Sequence, residues 1–220
     1  MKTLLIKITR KTLRIPFYIK KRFYTIWNKF LFNIYNIDYK TGLNVYGHLY
    51  MRIRPNTSIK IGKNFNFTSG IGINPLSRNK KGFIFVAENG ILNIGNNVGI
   101  SSSCLWIKEK VIIGNNVFIG ADCIIMDTDA HNLDYQVRRD QQVNEKGLTK
   151  DVLTATSSPI TIGDDVLIGT RCIILKGVKI GNRTIIGSGS VVTKSIPDDC
   201  IAAGNPCKII RYTNNNPNLI

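Results

Sequence analysis

One of the two histidines in the chain has neighbours that suggest chemistry. His131 closes the segment DTDAH (127–131), so that Asp127 and Asp129 precede it closely. An imidazole titrates near neutral pH and can remove the proton of an attacking hydroxyl, while a nearby carboxylate can orient the ring or raise its basicity. We therefore expect His131 to act as a general base, assisted by Asp127 or Asp129. A surface histidine in an Asp-rich turn is the alternative that these residues leave open.

The histidine lies in a chain with a six-residue period. Aliphatic β-branched residues recur at a strict spacing of six over the C-terminal part: Ile162, Ile168, Ile174, Ile180, Ile186 and Val192. The same frame occurs earlier at Ile94 and Ile100, and again at Ile113, Ile119 and Ile125. Neither the 3.6-residue period of a helix nor simple strand alternation fits this spacing, whereas short strands joined by corners do.

Each hexad has its own physical logic. The aliphatic residue points into a core, and the Gly and Asn, Asp or Arg that follow form a corner, because these residues tolerate tight turns. Three hexads make an 18-residue coil, and neighbouring coils bury one another's aliphatic positions. The pattern therefore predicts an all-β solenoid, a triangular prism of parallel strands. Three cysteines occupy the fifth hexad position, where we expect small interior residues and not nucleophiles: Cys104, Cys123 and Cys172.

Breaks in the period divide the chain. We predict a basic amphipathic helical segment over 1–40, a β-helix domain over 41–212 and a C-terminal tail over 213–220. The longest interruption within the domain is a polar, charged loop insertion near 132–159. A long loop without repeats is uncommon in a compact solenoid unless it has a function.

The net charge of +16 is concentrated near the N-terminus. Residues 1–40 hold ten Lys and Arg but a single acid, Asp38, which predicts an anionic partner for this segment. Apolar residues of the segment recur three or four positions apart, as on one face of a helix, and we place Pro16 at the start of that helix: Ile19, Phe23, Ile26, Trp27, Phe30 and Ile34.

Two interpretations of this segment remain open. The basic amphipathic helix could bind the surface of an anionic membrane, or its apolar face could pack on the prism or on a neighbouring subunit. No run of apolar residues is long enough for a transmembrane helix, and no secretory signal is evident. We therefore expect a cytoplasmic protein. The basic amphipathic helix suggests that this protein could also associate with the cytoplasmic face of a membrane.

The hexads, the DTDAH segment and the sequence AGNPCKIIR (203–211) together resemble the hexapeptide-repeat acyltransferases. Within that group the chain is similar to the sugar O-acetyltransferases, such as the maltose, galactoside and polysaccharide-modifying enzymes, over residues 45–212. The resemblance implies a left-handed parallel β-helix that forms a homotrimer with acetyl-CoA sites at its subunit interfaces. It also implies direct transfer of an acetyl group to a sugar hydroxyl, with His131 as the base and without an acyl-enzyme.

The resemblance further assigns candidate binding residues. For the sugar acceptor it points to Ser101. Further candidates from a neighbouring edge or from the loop are Glu109, Arg138 and Arg139, for which solvated surface charge is the alternative. For acetyl-CoA the candidates are Thr170, Ser188, Thr193, Lys194, Lys208 and Arg211. Lysine and arginine suit the phosphates of the donor.

Several other functions compete with this one. A γ-type carbonic anhydrase shares the fold but needs three zinc-binding histidines, and the chain has two, so we expect no catalytic metal and take His48 as structural. An N-acetyltransferase acting on an amino sugar and a non-catalytic β-helix that binds glycans stay open as alternatives. A nucleic-acid binder is disfavoured, because the basic excess lies away from the repeats.

Overall fold

The computed structural model describes residues 2–213, with side chains described from Pro16 onward. The described chain winds three parallel sheets into a left-handed parallel β-helix, which confirms the predicted fold class. Each coil of the prism contributes one short strand to each sheet, and we call the three faces sheets A, B and C.

The strands of each sheet follow in order along the prism axis. Sheet A comprises β1 (Asp38–Tyr39), β4 (Ser58–Ile61), β7 (Ile91–Ile94), β10 (Lys110–Ile113), β13 (Ile160–Ile162) and β16 (Lys179–Ile180). Sheet B comprises β2 (Asn44–Tyr46), β5 (Asn66–Thr68), β8 (Gly99–Ser101), β11 (Phe118–Ile119), β14 (Leu167–Ile168), β17 (Ile185–Ile186), β19 (Cys200–Ala203) and the antiparallel β20 (Lys208–Tyr212). Sheet C comprises β3 (Tyr50–Ile53), β6 (Phe83–Val86), β9 (Cys104–Ile107), β12 (Ile124–Met126), β15 (Ile173–Leu175) and β18 (Val191–Val192).

The six aliphatic residues of the C-terminal hexads form the core of the prism. Residues eighteen apart are aligned on neighbouring strands, as in the pairs Ile162–Ile180 and Ile168–Ile186. All six side chains are at most 1% exposed. Full burial of an aliphatic side chain stabilises a fold by about 1.5–3 kcal/mol, so this stack is a main source of stability. The prediction of three hexads per coil is confirmed.

The corners between sheets A and B explain the Gly-Asn pairs of the hexads. Asn64, Asn97 and Asn116 all have positive φ, and the side-chain amide of each donates a hydrogen bond of 2.9 Å to the residue one coil further on. Gly114 has no room for a side chain, because a Cβ there would lie 2.4 Å from Asp164 Oδ1 and 2.7 Å from a backbone carbon of Gly163. The coils therefore stack closely at this edge.

The N-terminal helix α1 (Lys2–Ile34) differs from the prediction at its start. It passes through Pro16 instead of beginning there. One face of α1 packs on the first coils, where Phe32 is buried and Asn28 donates hydrogen bonds to the carbonyls of Val45 (3.2 Å) and Gly47 (2.8 Å).

The predicted apolar stripe of α1 does not pack on the prism of its own chain. Its members are 40–65% exposed: Ile19, Phe23, Ile26, Trp27, Phe30 and Ile34. The alternative in which the stripe covers the prism is therefore wrong, because Asn28 and Phe32 on another face of α1 make that contact. Within residues 2–213, no helix combines the length and the apolarity needed to cross a bilayer.

Two insertions interrupt the coils. The shorter one, 69–82, links β5 to β6 and contains a 3₁₀ turn, Pro75–Ser77. The longer one, 127–159, links β12 to β13 and carries two short helices, α2 (Tyr135–Arg139) and α3 (Lys150–Leu153). Of the tail over 213–220, only residue 213 lies within the described residues.

Candidate active site

His131 lies at the edge where sheet C passes to sheet A, five residues after β12 ends. Its side chain is 65% exposed, and its Nδ1 lies 2.5 Å from Oδ2 of Asp151. A carboxylate accepts hydrogen bonds, so this contact places the proton on Nδ1 and leaves Nε2 as an acceptor. Nε2 has no hydrogen-bond partner among the described residues and can receive a proton from a substrate.

Asp151 is held in place by the chain around the histidine. It is 7% exposed and lies in the first turn of α3, and its second oxygen, Oδ1, accepts a hydrogen bond of 2.7 Å from the backbone N–H of Asn132. The pKa of the Asp151 carboxyl is lowered, and the hydrogen bond with His131 is the largest cause. Asp151 therefore stays ionised and fixes both the ring and the residue that follows it.

Lys108 anchors the segment that carries Asp151. Its ammonium group donates hydrogen bonds to the carbonyl oxygens of Val152 (3.1 Å), Leu153 (3.3 Å) and Ala155 (2.6 Å). A cation at the C-terminal end of a helix binds carbonyls that have no partner within the helix. Burial lowers the pKa of Lys108. The side chain thus ties α3 to the turn between β9 and β10.

The expectation that Asp127 orients His131 is wrong. The Asp127 side chain is fully buried, and its two oxygens accept hydrogen bonds from the backbone N–H groups of Lys108 (2.7 Å), Glu109 (2.8 Å) and Lys110 (2.6 Å). Burial raises the pKa of Asp127, against these three hydrogen bonds, which lower it. Asp127 therefore stabilises a turn of the neighbouring coil.

The same expectation fails for Asp129. Its Oδ1 lies 3.3 Å from the Lys176 ammonium group, and its Oδ2 is buried without a hydrogen-bond partner among the described side chains. Ala130, between Asp129 and His131, has a φ of 63°, which is the left-handed conformation. In this conformation the chain turns between Asp129 and His131, so that the histidine and the preceding carboxylates point in different directions.

The predicted acceptor contacts lie in three places. Ser101 ends β8 at the edge between sheets B and C, where its Oγ accepts a hydrogen bond of 3.0 Å from Thr68. Glu109 is exposed in the turn that Asp127 stabilises. Arg138 and Arg139 end α2 in the long insertion, and Arg138 donates a hydrogen bond of 2.6 Å to the carbonyl of Asn132, next to the histidine.

The predicted acetyl-CoA contacts are also divided between edges. Thr170 and Ser188 lie on adjacent coils at the edge between sheets B and C, and the Thr170 N–H donates to Ser188 Oγ at 3.1 Å. Thr193 and Lys194 are exposed at the edge that follows sheet C, on the same edge as His131. Lys208 and Arg211 are exposed on β20.

Sheet C separates two groups of these candidates. Thr193 and Lys194 follow strands of sheet C, as His131 does, whereas Ser101, Thr170 and Ser188 precede strands of sheet C. Residues before and after the same strands lie at opposite edges of the sheet. One chain therefore brings His131, Asp151 and Lys194 to one edge and does not bring Thr170 or Ser188 beside them.

Neither metal binding nor thiol chemistry stands out in the described part of the chain. It holds no group of three or more His, Cys, Asp or Glu side chains that could bind a metal ion. All five cysteines are free thiols, and burial raises the pKa of Cys104, Cys200 and Cys207. The hydrogen bond with Cys123 lowers the pKa of Cys172 to about 7, but the Cys172 side chain is fully buried and out of reach of a substrate. A buried thiol with a raised pKa is a poor nucleophile.

The sequence is similar to known families and proteins. Residues 159–194 match the bacterial transferase hexapeptide family (six repeats), and residues 110–126 match the hexapeptide repeat of succinyl-transferase. The chain is 34% identical over 167 residues to the "Putative lipopolysaccharide biosynthesis O-acetyl transferase WbbJ" of Escherichia coli K12, covering 76% of this chain and 78% of that protein. It is 32% identical over 132 residues to galactoside O-acetyltransferase of the same organism, covering 60% of this chain and 59% of that protein.

The fold is also found among solved structures. A mutant of AntD, an N-acyltransferase from Bacillus cereus solved with dTDP and coenzyme A, superposes with a TM-score of 0.61 and 18% identity. The match covers 85% of this chain and 89% of AntD. At this identity the likeness shows the fold alone.

Proposed function

The chain belongs to the hexapeptide-repeat acetyltransferases, and we propose that it transfers the acetyl group of acetyl-CoA to a hydroxyl of a sugar in a surface polysaccharide or its precursor. The names of the two relatives, both O-acetyltransferases, support a hydroxyl as the acceptor. The contact of 2.5 Å between His131 Nδ1 and Asp151 Oδ2 carries the proposal, because it leaves Nε2 free to accept a proton.

The proposed reaction is a direct transfer. His131 Nε2 removes the proton of the sugar hydroxyl while the oxygen attacks the thioester carbonyl, and Asp151 stabilises the imidazolium that forms. The tetrahedral intermediate carries an oxyanion, for which backbone N–H groups are the donors we expect. Its collapse breaks the C–S bond, and the departing thiolate of coenzyme A takes the proton back from His131.

We assign the donor contacts to both edges of sheet C and to β20. Lys194, Lys208 and Arg211 supply cations for the phosphates of acetyl-CoA, with Thr193 beside Lys194. The backbone at Thr170 and Ser188 pairs with the pantetheine amides. For the acceptor we assign Ser101, Glu109, Arg138 and Arg139, of which Arg138 is tied to the carbonyl of Asn132.

We propose that the active protein is a homotrimer, because one chain does not bring its candidate residues into a single site. Self-association is further supported by apolar side chains on the outer surfaces of two sheets. Phe118 (58% exposed) and Leu167 (46%) are adjacent on sheet B, and Trp106 (38%) and Ile124 (38%) lie on sheet C. Light scattering of the purified chain tests this proposal: a monomer at micromolar concentration would contradict it.

We further propose that α1 contacts an anionic membrane. Its outward stripe is apolar, with Phe23 58% and Ile26 62% exposed, and Lys20, Arg22 and Lys29 lie exposed around it. Such a face suits the boundary between lipid headgroups and acyl chains. Pelleting with anionic vesicles tests the contact, and equal binding by a chain that lacks residues 1–40 would contradict it.

The transfer is tested by measuring the release of free coenzyme A from acetyl-CoA with a panel of sugars. Release that depends on a sugar without an amino group supports O-acetylation, whereas release with amino sugars alone would support the N-acetyltransferase alternative. A non-catalytic, glycan-binding β-helix predicts that no sugar causes release and that acetyl-CoA does not bind. A titration with acetyl-CoA on the same sample checks the second point.

A further inference from the structure

A pocket of about 190 Å³ lies where α1 crosses the edge between sheets B and C, in the first two coils. The helix contributes one wall through Phe17, Lys20, Lys21 and Tyr24, which are spaced as one helical face. The shorter insertion contributes the opposite wall through residues 69–73. The pocket lies at the first coils, whereas the His131 site lies two coils further along the prism.

Tyr24 and His48, two of the residues that line the pocket, have stacked rings. The His48 ring stacks on Tyr24 with centroids 5.6 Å apart and an angle of 9°, and it lies 4.2 Å from the ring of Tyr50. Lys81 lies beside them, with its ammonium nitrogen 3.4 Å from the hydroxyl oxygen of Tyr50. The stacked rings of Tyr24 and His48 therefore give the pocket an aromatic surface, and Lys81 adds a cation to its lining.

None of the three lysines of the pocket forms an ion pair with an Asp or Glu among the described residues. Lys21 lies over the ring of Tyr46 at 4.0 Å, and Lys81 lies 5.3 Å from the centre of the Tyr50 ring. No Asp or Glu occurs anywhere in residues 39–87. Burial and the charge of Lys81 both lower the pKa of His48, as expected in a positive environment.

The net positive charge of the whole chain is concentrated in the part that contains the pocket. Residues 1–87 contain seventeen Lys and Arg and one acid, whereas residues 88–220 contain thirteen of each. The entire net charge of +16 is therefore in the part of the chain that forms α1 and the first two coils. The pocket is a concave site in this positive region, and a positive cleft concentrates anions.

We propose that this pocket binds the phosphate group of a phosphorylated ligand, a monoester or a diphosphate. Phosphate oxygens accept hydrogen bonds from the ammonium groups of Lys20, Lys21 and Lys81, and the organic part of the ligand packs on the Tyr24 and His48 rings. Both a soluble phosphorylated molecule and a lipid headgroup present this chemistry. The inference goes beyond the acetyl transfer and does not depend on it.

Calorimetric titration with inorganic pyrophosphate at low ionic strength tests the pocket on the full chain. We compare a pocket variant, Lys20→Gln with Lys81→Gln, and a control variant, Lys60→Gln with Lys63→Gln, which loses the same charge on exposed residues of the same coils. The expected result is binding by the wild type and the control with similar Kd, and a Kd at least about tenfold higher for the pocket variant. Absence of binding to the wild type, or an equal loss in both variants, would overturn the proposal.

Two further measurements identify the source of the phosphate and test whether the anion binds in the acetyl-CoA site instead of the pocket. Pelleting with phosphatidylglycerol vesicles, against phosphatidylcholine vesicles, indicates a lipid headgroup if the pocket variant loses more binding than the control. If both variants bind the vesicles equally well, and only the pocket variant loses pyrophosphate binding, the ligand is a soluble molecule. Acetyl-CoA is titrated on the same samples, and a loss equal to that for pyrophosphate would place the anion in the donor site and overturn the proposal.

Discussion

His131 and Asp151 are twenty residues apart in the chain, yet His131 Nδ1 lies 2.5 Å from Asp151 Oδ2. The insertion 127–159 makes this contact possible, because it leaves the prism after β12 and returns before β13. An exposed imidazole that rests on a buried carboxylate is fixed in tautomer and direction while its other nitrogen stays accessible.

Replacing Asp151 with asparagine tests the role of the carboxylate. The amide keeps the volume, but it neither fixes the Nδ1–H tautomer nor stabilises the imidazolium. We expect kcat for coenzyme A release to fall at least about tenfold, with the KM for acetyl-CoA little changed. Glu145→Gln, in the same insertion and exposed to solvent, is the matched control and should retain activity. Equal activity of the two variants would remove Asp151 from the mechanism.

Lys108 is a positioning residue and makes a separate prediction. Lys108→Met removes the ammonium group that binds three carbonyl oxygens around α3, so Asp151 loses its fixed place. We expect a fall in kcat of about tenfold with an unchanged KM for acetyl-CoA. Steady-state kinetics of Lys110→Met provide the control, since only the backbone N–H of Lys110 contacts Asp127. A rise in KM with kcat unchanged would contradict positioning.

The hexads of the sequence predicted the core and the position of His131 because their spacing fixes which side chains point inward. The partner of His131 could not be predicted in this way, because Asp151 lies in an insertion without a period. Asp127 and Asp129 are closer in sequence, but the left-handed Ala130 turns the chain between them and the ring. The only available signal for Asp151 was an acidic residue within a long polar insertion next to a candidate base.

The helix α1 shows a similar limit. Spacing alone identified an apolar face but not what covers it. The packing contact instead uses the buried Phe32 and the polar Asn28, whose amide bonds to backbone carbonyls of the first coil. A single polar residue of this kind has no recognisable pattern in a sequence.

Asp127→Ala should reduce stability. Without the carboxylate, three backbone N–H groups of the turn at Lys108–Lys110 lose their acceptor. An unsatisfied, partly buried donor costs about 1–3 kcal/mol, so we expect unfolding in urea at a clearly lower concentration than for the wild type. Glu145→Ala, which removes an exposed carboxylate, should unfold close to the wild type. An unchanged urea midpoint for Asp127→Ala would contradict the structural role of this carboxylate.

Acid should weaken the contact between Asp151 and His131. The pKa of Asp151 is lowered in the folded chain, so the unfolded chain binds more protons in the acid range. The contribution of this group is therefore present above the pKa of a free carboxyl and is lost as the pH falls through the lowered value. Between about pH 5 and pH 3, we expect the urea midpoint to fall more steeply for the wild type than for Asp151→Asn. Parallel curves for the two proteins would contradict the shift.

The most direct test of the central claim is the turnover rate of His131→Ala with the best sugar acceptor, measured as release of coenzyme A. If Nε2 of His131 takes the proton of the hydroxyl, kcat should fall by about a hundredfold or more while acetyl-CoA still binds. A variant that binds acetyl-CoA and turns over within about twofold of the wild type would contradict the claim, since general-base catalysis normally supplies far more than that.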